Sequence, residues 1–561
     1  MRREASVVNK KVCSFPILFA LLALLIGTCA VVFPASAQAA PTSTGSITVS
    51  GTVASSYDAY QIFSANIVDG DSDAKIATDL AWANDAARDA VLPVLHSAGM
   101  PNSQTTAQEA AEWLNTDSHL TSALSAQLAR SLQSSGAEPV ALNAGTAAEL
   151  PCGYWLIVAK DDAISQNEAG TAPIMALVGG SAVTVKPKAA TPKVAKYVLE
   201  DSTAAWQKAA DATVADDLYW RLSATVPAGL STYDTYTVRF VDTMSAGLDP
   251  SKVAASMRVY VAAGAEGGFD AVSTGKDGRA GTEPAKGWTD ITAQCGVSVE
   301  GNSFTMRTGD LIAALGGADA FAAGARVVAV YNAPLNSACN HGIAKGNPNE
   351  VYLRYPRSPF ADQTVDAGFT RTPSDDATAY TWDLALTKRG SDGDKPLSGA
   401  VLSIADDRGR TLAANGTWDA EGKATVTTGE DGRVTVSGVD SGKLEVRELK
   451  APKGYAAFEG TRSVTVKAEG LDVKQVAAAK PKLTITAESP LRADSADGST
   501  GSLEASLINT PTGTPPSTIT GGFMPSTGDM AMYAAAAAAV AGAALIVVAL
   551  LVKRGGGSHK E

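Results

Sequence analysis

A two-residue period is the feature that most constrains this chain. From Thr191 to about Thr372, short apolar-alternating runs recur, YWRLSATVPAG, YTVRFVDTM, MRVYVAAG, ARVVAVYNAP and NEVYLRYP, separated by Gly, Asp and Asn turns. Successive side chains of a strand point to opposite faces, so runs of this kind bury one face and wet the other, as the strands of a β-sandwich do. The pattern returns between Ala377 and about Thr510, in TWDLALTK, AVLSIADD, GRVTVSG, KLEVREL and GSLEASLIN. Both regions read as all-β units.

The region before them is mixed. GSITVSGTV (Gly45 to Val53) and YDAYQIFSANIV from Tyr57 read as strands. Between about Lys75 and Leu132 the period becomes helical: Trp82, Ala86 and Ala90, then Leu120, Leu124, Leu128 and Leu132, recur at spacing four. Strand patterning resumes in GYWLIVAK, APIMALVGG and SAVTVKPK. The expected architecture is therefore mainly β: tandem Ig-like sandwiches, the first with a helical insertion. Its units are 40–188, 189–372 and 373–510, the last boundary set at the polar stretch Pro373 to Asp376. Residues 511–523 form a Pro/Thr/Gly tether that cannot bury a core and should be extended.

Both ends carry membrane signals. Residues 1–39 read as a secretory signal: Arg2, Arg3, Lys10 and Lys11, an apolar stretch from Phe15 to Phe33, then Ala37-Gln38-Ala39. Residues 524–561 contain an uncharged run from Met530 to Val552, long enough to cross a bilayer as a helix, followed by Lys553 and Arg554, which hold the tail on the cytoplasmic side. The mature chain is thus exported and, before processing, held in the plasma membrane. Its net charge of −12 argues against nucleic acid as a partner. Cys13 and Cys29 leave with the signal, and Cys152, Cys295 and Cys339 remain, an odd number that excludes a disulfide scaffold. Cys295 and Cys339 fall in one unit and could either pair or be buried as unpaired thiols. His96, His119 and His341 are too few and too scattered for a zinc site or a nucleophilic triad, so no cofactor, metal or substrate-directed catalysis is expected.

Strand phase singles out a smaller set of residues. In the third unit Trp382, Leu384 and Leu386 share a face with Lys388; Leu444 and Val446 share one with Glu448; Leu503, Ala505 and Leu507 share one with Asn509. Three polar side chains thereby point into an apolar core, where an unpaired charge costs several kcal/mol, so they should satisfy one another. A hydrogen-bonded polar cluster and a polar run at strand ends both fit that phase. The middle unit repeats the arrangement: Tyr236, Val238 and Phe240 bring in Asp242, Val194 and Val198 flank Lys196, and Val351 and Leu353 share phase with Asn349. Lys193 and Asn347 are nearby alternatives, the first out of phase and the second beyond Pro348.

Several motifs carry a family resemblance. LEVRELKAPKGYAAF, from Leu444, resembles the E-box of Gram-positive pilins and Cna B-type domains, close to YxLxExxAPxGY: Glu448, Ala451, Pro452, Gly454 and Tyr455 match, while Leu444 replaces the leading Tyr. The resemblance implies that Lys388 and Asn509 join in a spontaneous isopeptide bond with Glu448 shuttling protons. VDTMSAGL and NPNEVYL resemble the middle domain of shaft pilins, which implies a second set, Lys196, Asn349 and Asp242. MPSTG, directly before the apolar run, resembles the LPxTG signal of sortase substrates, with Met524 for Leu. It implies cleavage between Thr527 and Gly528 and transfer of the Thr527 carboxyl to an amine. SAVTVKPK resembles the pilin motif ending in YPK, with Lys186 for Tyr, which implies Lys188 as that amine. GYWLIV resembles a degraded E-box end without a clear glutamate, so no bond is expected in the first unit.

Together these resemblances imply a pilus shaft subunit anchored at the cell wall. Its partners would be a class C-type pilin sortase, further copies of itself, minor pilins, peptidoglycan and a host surface ligand. A monomeric wall-anchored adhesin or a minor tip or base pilin is the alternative.

Overall fold

The computed structural model describes residues 43–513 apart from 71–73, 117, 171, 188–190 and 231. The signal segment, Lys188, and the tail with Met524, Thr527, Gly528 and the apolar run lie outside the described residues. Among the described residues no helix is long and apolar enough to cross a membrane.

In the first unit, Thr44–Val49 pairs antiparallel with Ala147–Pro151 and parallel with Val183–Val185. A second sheet runs Lys75–Trp82, Ser56–Asp69, Gly153–Ala159, Ile174–Val178, with Val140–Asn143 also on the long Ser56–Asp69 strand. Three helices are inserted, Asp85–Ser97, Ala107–Asn115 and Ser122–Ser134. Each starts at a side chain that takes up an otherwise unpaired backbone N–H: Asn84 accepts from Ala87, Thr121 from Leu124, and Thr106 forms a capping box with Glu109. Val91, Leu95, Leu128 and Leu132 bury one face of this layer against Ile62, Phe63 and Leu156.

Helix begins only at Asp85, not near Lys75. Trp82, expected on a helical stripe with Ala86 and Ala90, ends the Lys75–Trp82 strand instead. There it pairs with Phe63, their ring centroids 4.9 Å apart. Pairing with a long neighbouring strand outweighs a helical spacing of only three residues.

The middle unit is a two-sheet sandwich. One sheet has the order Ala205–Gln207, Lys193–Glu200, Tyr219–Val226, Ala325–Asn332, Arg258–Ala263, Thr289–Asp290. The other runs Ala209–Asp211, Asp375–Tyr380, Asn347–Pro356, Arg239–Met244, Ser303–Arg307, Gly296–Glu300, with Phe369–Arg371 on Asn347–Pro356. Trp220, Leu222, Phe240, Tyr331, Val351 and Leu353 fill the space between them.

One boundary moves. The strand Asp375–Tyr380, which a third unit of 373–510 would include, pairs with Asn347–Pro356 and Ala209–Asp211 and so completes the middle sheet. Its Ala377 and Ala379 are buried in the middle core, and the third core begins with Tyr380 and Trp382. The polar run Pro373 to Asp376 looks like a linker, yet Asp375 accepts from the backbone N–H of Lys196 at 2.7 Å and binds Lys208.

The third unit is also a sandwich. Its smaller sheet is Arg433–Val439, Trp382–Gly390, Ser502–Asn509, Leu491–Asp497; the larger runs Trp418–Asp419, Thr411–Leu412, Val401–Ala405, Gly442–Lys450, Thr461–Glu469, Lys482–Ala487, with Val426–Thr427 on Val401–Ala405. The unit's first and last strands lie side by side and parallel, Lys388 opposite Leu507 and Gly390 opposite Asn509.

Candidate functional site

Two sites occupy these sandwiches, each with a lysine, a carboxylate and an asparagine sealed from water. In the third unit Trp382–Gly390 delivers Lys388 and Ser502–Asn509 delivers Asn509, both from the smaller sheet. Glu448 comes across the core from Gly442–Lys450 of the larger one. The Lys388 and Glu448 side chains are fully buried, and Asn509 is 2% exposed. Lys388 Nζ donates to Asn509 Oδ1 and lies 3.1 Å from Glu448 Oε1. Asn509 Nδ2 donates to both Glu448 oxygens at 3.0 Å. The backbone N–H of Phe458 donates to Glu448 Oε2 at 3.1 Å, and the Phe458 ring faces Lys388 Nζ from 6.0 Å.

Burial pushes the Lys388 amine down to about 8, against the opposing pull of Glu448. At that value roughly a tenth of the amine is neutral at pH 7, against about one in a few thousand for an ordinary lysine. A nucleophilic nitrogen thus sits against an amide oxygen, with one carboxylate touching both the amine and the amide nitrogen. That arrangement can condense amine and amide with release of ammonia.

The middle site has the same residue types in a different geometry. Lys196, Asp242 and Asn349 are each 0% exposed. They come from Lys193–Glu200 in one sheet and from Arg239–Met244 and Asn347–Pro356 in the other. Lys196 Nζ donates to Asp242 Oδ2, and burial holds its amine down to about 8 although Asp242 pulls the other way. Burial raises the Asp242 carboxyl above its ordinary value, only partly offset by Lys196.

Between them stands Tyr331, from Ala325–Asn332, a residue that the sequence analysis does not single out. Its hydroxyl accepts from Lys196 Nζ at 2.8 Å and from Asn349 Nδ2 at 2.9 Å, and donates to Asp242 Oδ2 at 3.0 Å. Asp242 Oδ1 and Asn349 Oδ1 are buried with no hydrogen-bond partner. The signal available in the sequence was its hydroxyl: Tyr331 shares phase with Ala325, Val327 and Ala329, and a buried phenol needs a polar partner.

The nearby alternatives are placed elsewhere. Lys193 is exposed. Asn347 is buried with its amide fully engaged, accepting from Asn340 N at 2.8 Å and donating to Asn340 O at 2.8 Å and Ala379 O at 3.2 Å. Lys75, a buried lysine of the first unit, donates to the carbonyls of Gly179 and Ser181.

Cys295 and Cys339 do not pair; with Cys152 they are free thiols. Each has its own neighbour, Cys295 Sγ donating to Ile291 O at 3.3 Å and Cys339 Sγ lying 3.5 Å from His341 Nε2. In the first unit, ladder pairing ends at Val185, leaving Lys186 exposed and Pro187 buried just before the Lys188 position.

The class these features define is a tandem β-sandwich protein with buried lysine, carboxylate and asparagine sites. Comparison with known proteins adds names for parts of it. Residues 383–480 match the SpaA family, described as a prealbumin-like fold domain. Over 144 residues the chain is 30% identical to the trypsin-resistant surface T6 protein of Streptococcus pyogenes serotype M6, covering 24% of this chain and 24% of that protein. The chain thus matches about a quarter of the length of that curated relative. Among solved structures, the T6 backbone pilin of serotype M6 Streptococcus pyogenes aligns with 84% of this chain and 98% of its own, at 16% identity and a TM-score of 0.45. The full-length major pilin SpaD of Corynebacterium diphtheriae aligns with 84% and 98%, at 14% identity and a TM-score of 0.42.

Proposed function

We propose that this chain is the repeating subunit of a covalent cell-surface pilus, hardened by one internal isopeptide bond in each of its last two units. The observation that carries the reading is the recurrence, in two successive sandwiches, of a buried lysine with a lowered amine, a carboxylate and an asparagine, the lysine touching the asparagine in the third unit and linked to it through Tyr331 in the middle one. In each, neutral lysine Nζ bonds to the asparagine Cγ, the Cγ–Nδ2 bond breaks, and ammonia leaves with a proton taken from Nζ. Glu448 carries the proton between the two nitrogens in the third unit, and Asp242 is the carboxylate that holds the lysine in the middle one. This is self-directed, single-turnover chemistry within a structural protein.

Polymerisation uses the two ends of the sequence. A class C-type sortase cleaves between Thr527 and Gly528 of MPSTG and passes the Thr527 carboxyl to Lys188 of the next copy. Support comes from the order of motif, apolar run and basic cap in the tail, and from Lys188 following Pro187 where strand pairing has stopped. The finished fibre, with its minor pilins, is then attached to peptidoglycan. The partial match to a streptococcal surface protein fits this reading.

The test is a wall extract boiled in SDS. The parent strain should give a high-mass ladder, and Lys188→Ala should collapse it to monomer. A ladder that persists in Lys188→Ala sinks the Lys188 joint. No ladder in the parent sinks the shaft assignment in favour of a wall-anchored adhesin or minor pilin.

A further inference from the structure

The two buried sites differ in how the lysine nitrogen is connected to the amide nitrogen. Condensation requires a proton to leave the first and reach the second. In the third unit Glu448 contacts both, at 3.1 Å and 3.0 Å. In the middle unit Asp242, one methylene shorter, bonds Lys196 and Tyr331 through Oδ2, while its Oδ1 bonds nothing. The group hydrogen-bonded to both nitrogens there is the Tyr331 hydroxyl, 2.8 Å from Lys196 Nζ and 2.9 Å from Asn349 Nδ2.

We propose that Tyr331 is a catalytic residue of the middle site, its phenol relaying the proton from Lys196 Nζ to Asn349 Nδ2. This rests on the reading above that Lys196 and Asn349 become joined. Lys196 Nζ forms its bond to Asn349 Cγ and thereby carries a surplus proton. Tyr331 turns its O–H from Asp242 to Nδ2 and gives up that proton while taking the surplus one from Nζ. The Cγ–Nδ2 bond breaks with its electron pair on nitrogen, ammonia leaves, and the phenol is restored. Asp242 holds the hub through Oδ2 and balances positive charge on Nζ.

Two further observations fit. Burial places the Tyr331 phenol well above its ordinary value, so the two transfers occur together and no free phenolate accumulates. The ring also packs edge-on against Phe304, centroids 4.9 Å apart at 76°, and lies 5.3 Å from Lys196 Nζ, which fixes the hydroxyl between its partners.

The experiment uses the whole mature ectodomain made by cell-free synthesis, following ammonia loss in middle-unit and third-unit peptides by mass spectrometry at successive times after synthesis. Tyr331→Phe should slow the middle bond by about a hundredfold, the scale of one positioned proton-transfer group, and leave the third bond at its parent rate. Parent-like kinetics in a folded Tyr331→Phe protein overturn the relay. If that variant does not fold, 3-fluorotyrosine placed at position 331 keeps the shape and changes the acidity of the phenol. A severalfold shift in rate and in its pH profile supports the relay, and an unchanged profile overturns it. Absence of ammonia loss from the parent's middle unit overturns the underlying bond instead, whatever Tyr331 does.

Discussion

The middle and third sites reach one chemical arrangement by different reach. In the third, a glutamate crosses the core and touches amine and amide directly, its far oxygen held by the Phe458 backbone. In the middle, the acid is an aspartate one methylene shorter, and a tyrosine from Ala325–Asn332, in the sheet facing that aspartate, spans what it leaves. Carboxylate length and the identity of the bridging group are therefore coupled. On the proposed relay, the short acid is served by a tyrosine hydroxyl and the long acid works without one.

The largest effect expected is loss of the acid. Glu448→Ala should abolish the third bond, so intact mass retains one more ammonia than the parent. It also leaves Lys388 buried without its counter-charge. Removing one partner of a buried pair costs about 3–5 kcal/mol. A crosslink closing the 121-residue separation of Lys388 and Asn509 would itself contribute up to about 5 kcal/mol by constraining the unfolded chain. A parent-like melting temperature in this variant would contradict both statements.

Shortening the acid sharpens the comparison further. Glu448→Asp recreates the middle site's aspartate without its tyrosine, and the third bond should form about a hundredfold more slowly in freshly synthesised chain. That slow variant also reads out pH. Because burial has pushed Lys388 down to about 8, the neutral amine, and with it the rate, should rise roughly tenfold per pH unit below that value and level off above it. Before the bond forms, the lowered amine penalises the folded state below pH about 8, and that penalty is relieved as pH rises toward the ordinary lysine value. A rate that falls across that range would mean the ammonium form reacts, which has no lone pair to attack with.

Much of this was legible in the sequence because strands have a strict period of two. That period put Lys388, Glu448, Asn509, Lys196, Asp242 and Asn349 on inward faces, and the structure finds all six buried. Tyr331 escaped because a tyrosine ending an apolar alternation satisfies the pattern as core, and phase says nothing about where its hydroxyl points. Strand Asp375–Tyr380 escaped for a related reason: which sheet a strand joins depends on partners far away in sequence, here Ala209–Asp211 and Asn347–Pro356. The two cysteines were open at the sequence level since spacing does not reveal direction. Trp82 was misplaced because three residues at spacing four are too few to distinguish a helix from a strand end.

The smallest effects test the assignment of the middle site against its neighbours. Lys193→Ala removes an exposed side chain and should change stability by less than about 0.5 kcal/mol with ammonia loss intact. Asn347→Ala should behave differently in one respect only. Its amide joins the Asn340 backbone to Ala379 O, so truncation leaves buried groups unpaired and costs about 1–3 kcal/mol by denaturant unfolding. The middle bond should still form, because Asn347 makes none of these contacts to Lys196, Asp242 or Tyr331. Asn349→Ala inverts the pattern, removing one ammonia loss outright. If Asn347→Ala and not Asn349→Ala blocks that loss, the acceptor is the wrong asparagine, and the hydrogen bond from Asn349 to Tyr331 would be mere packing rather than the route of the proton.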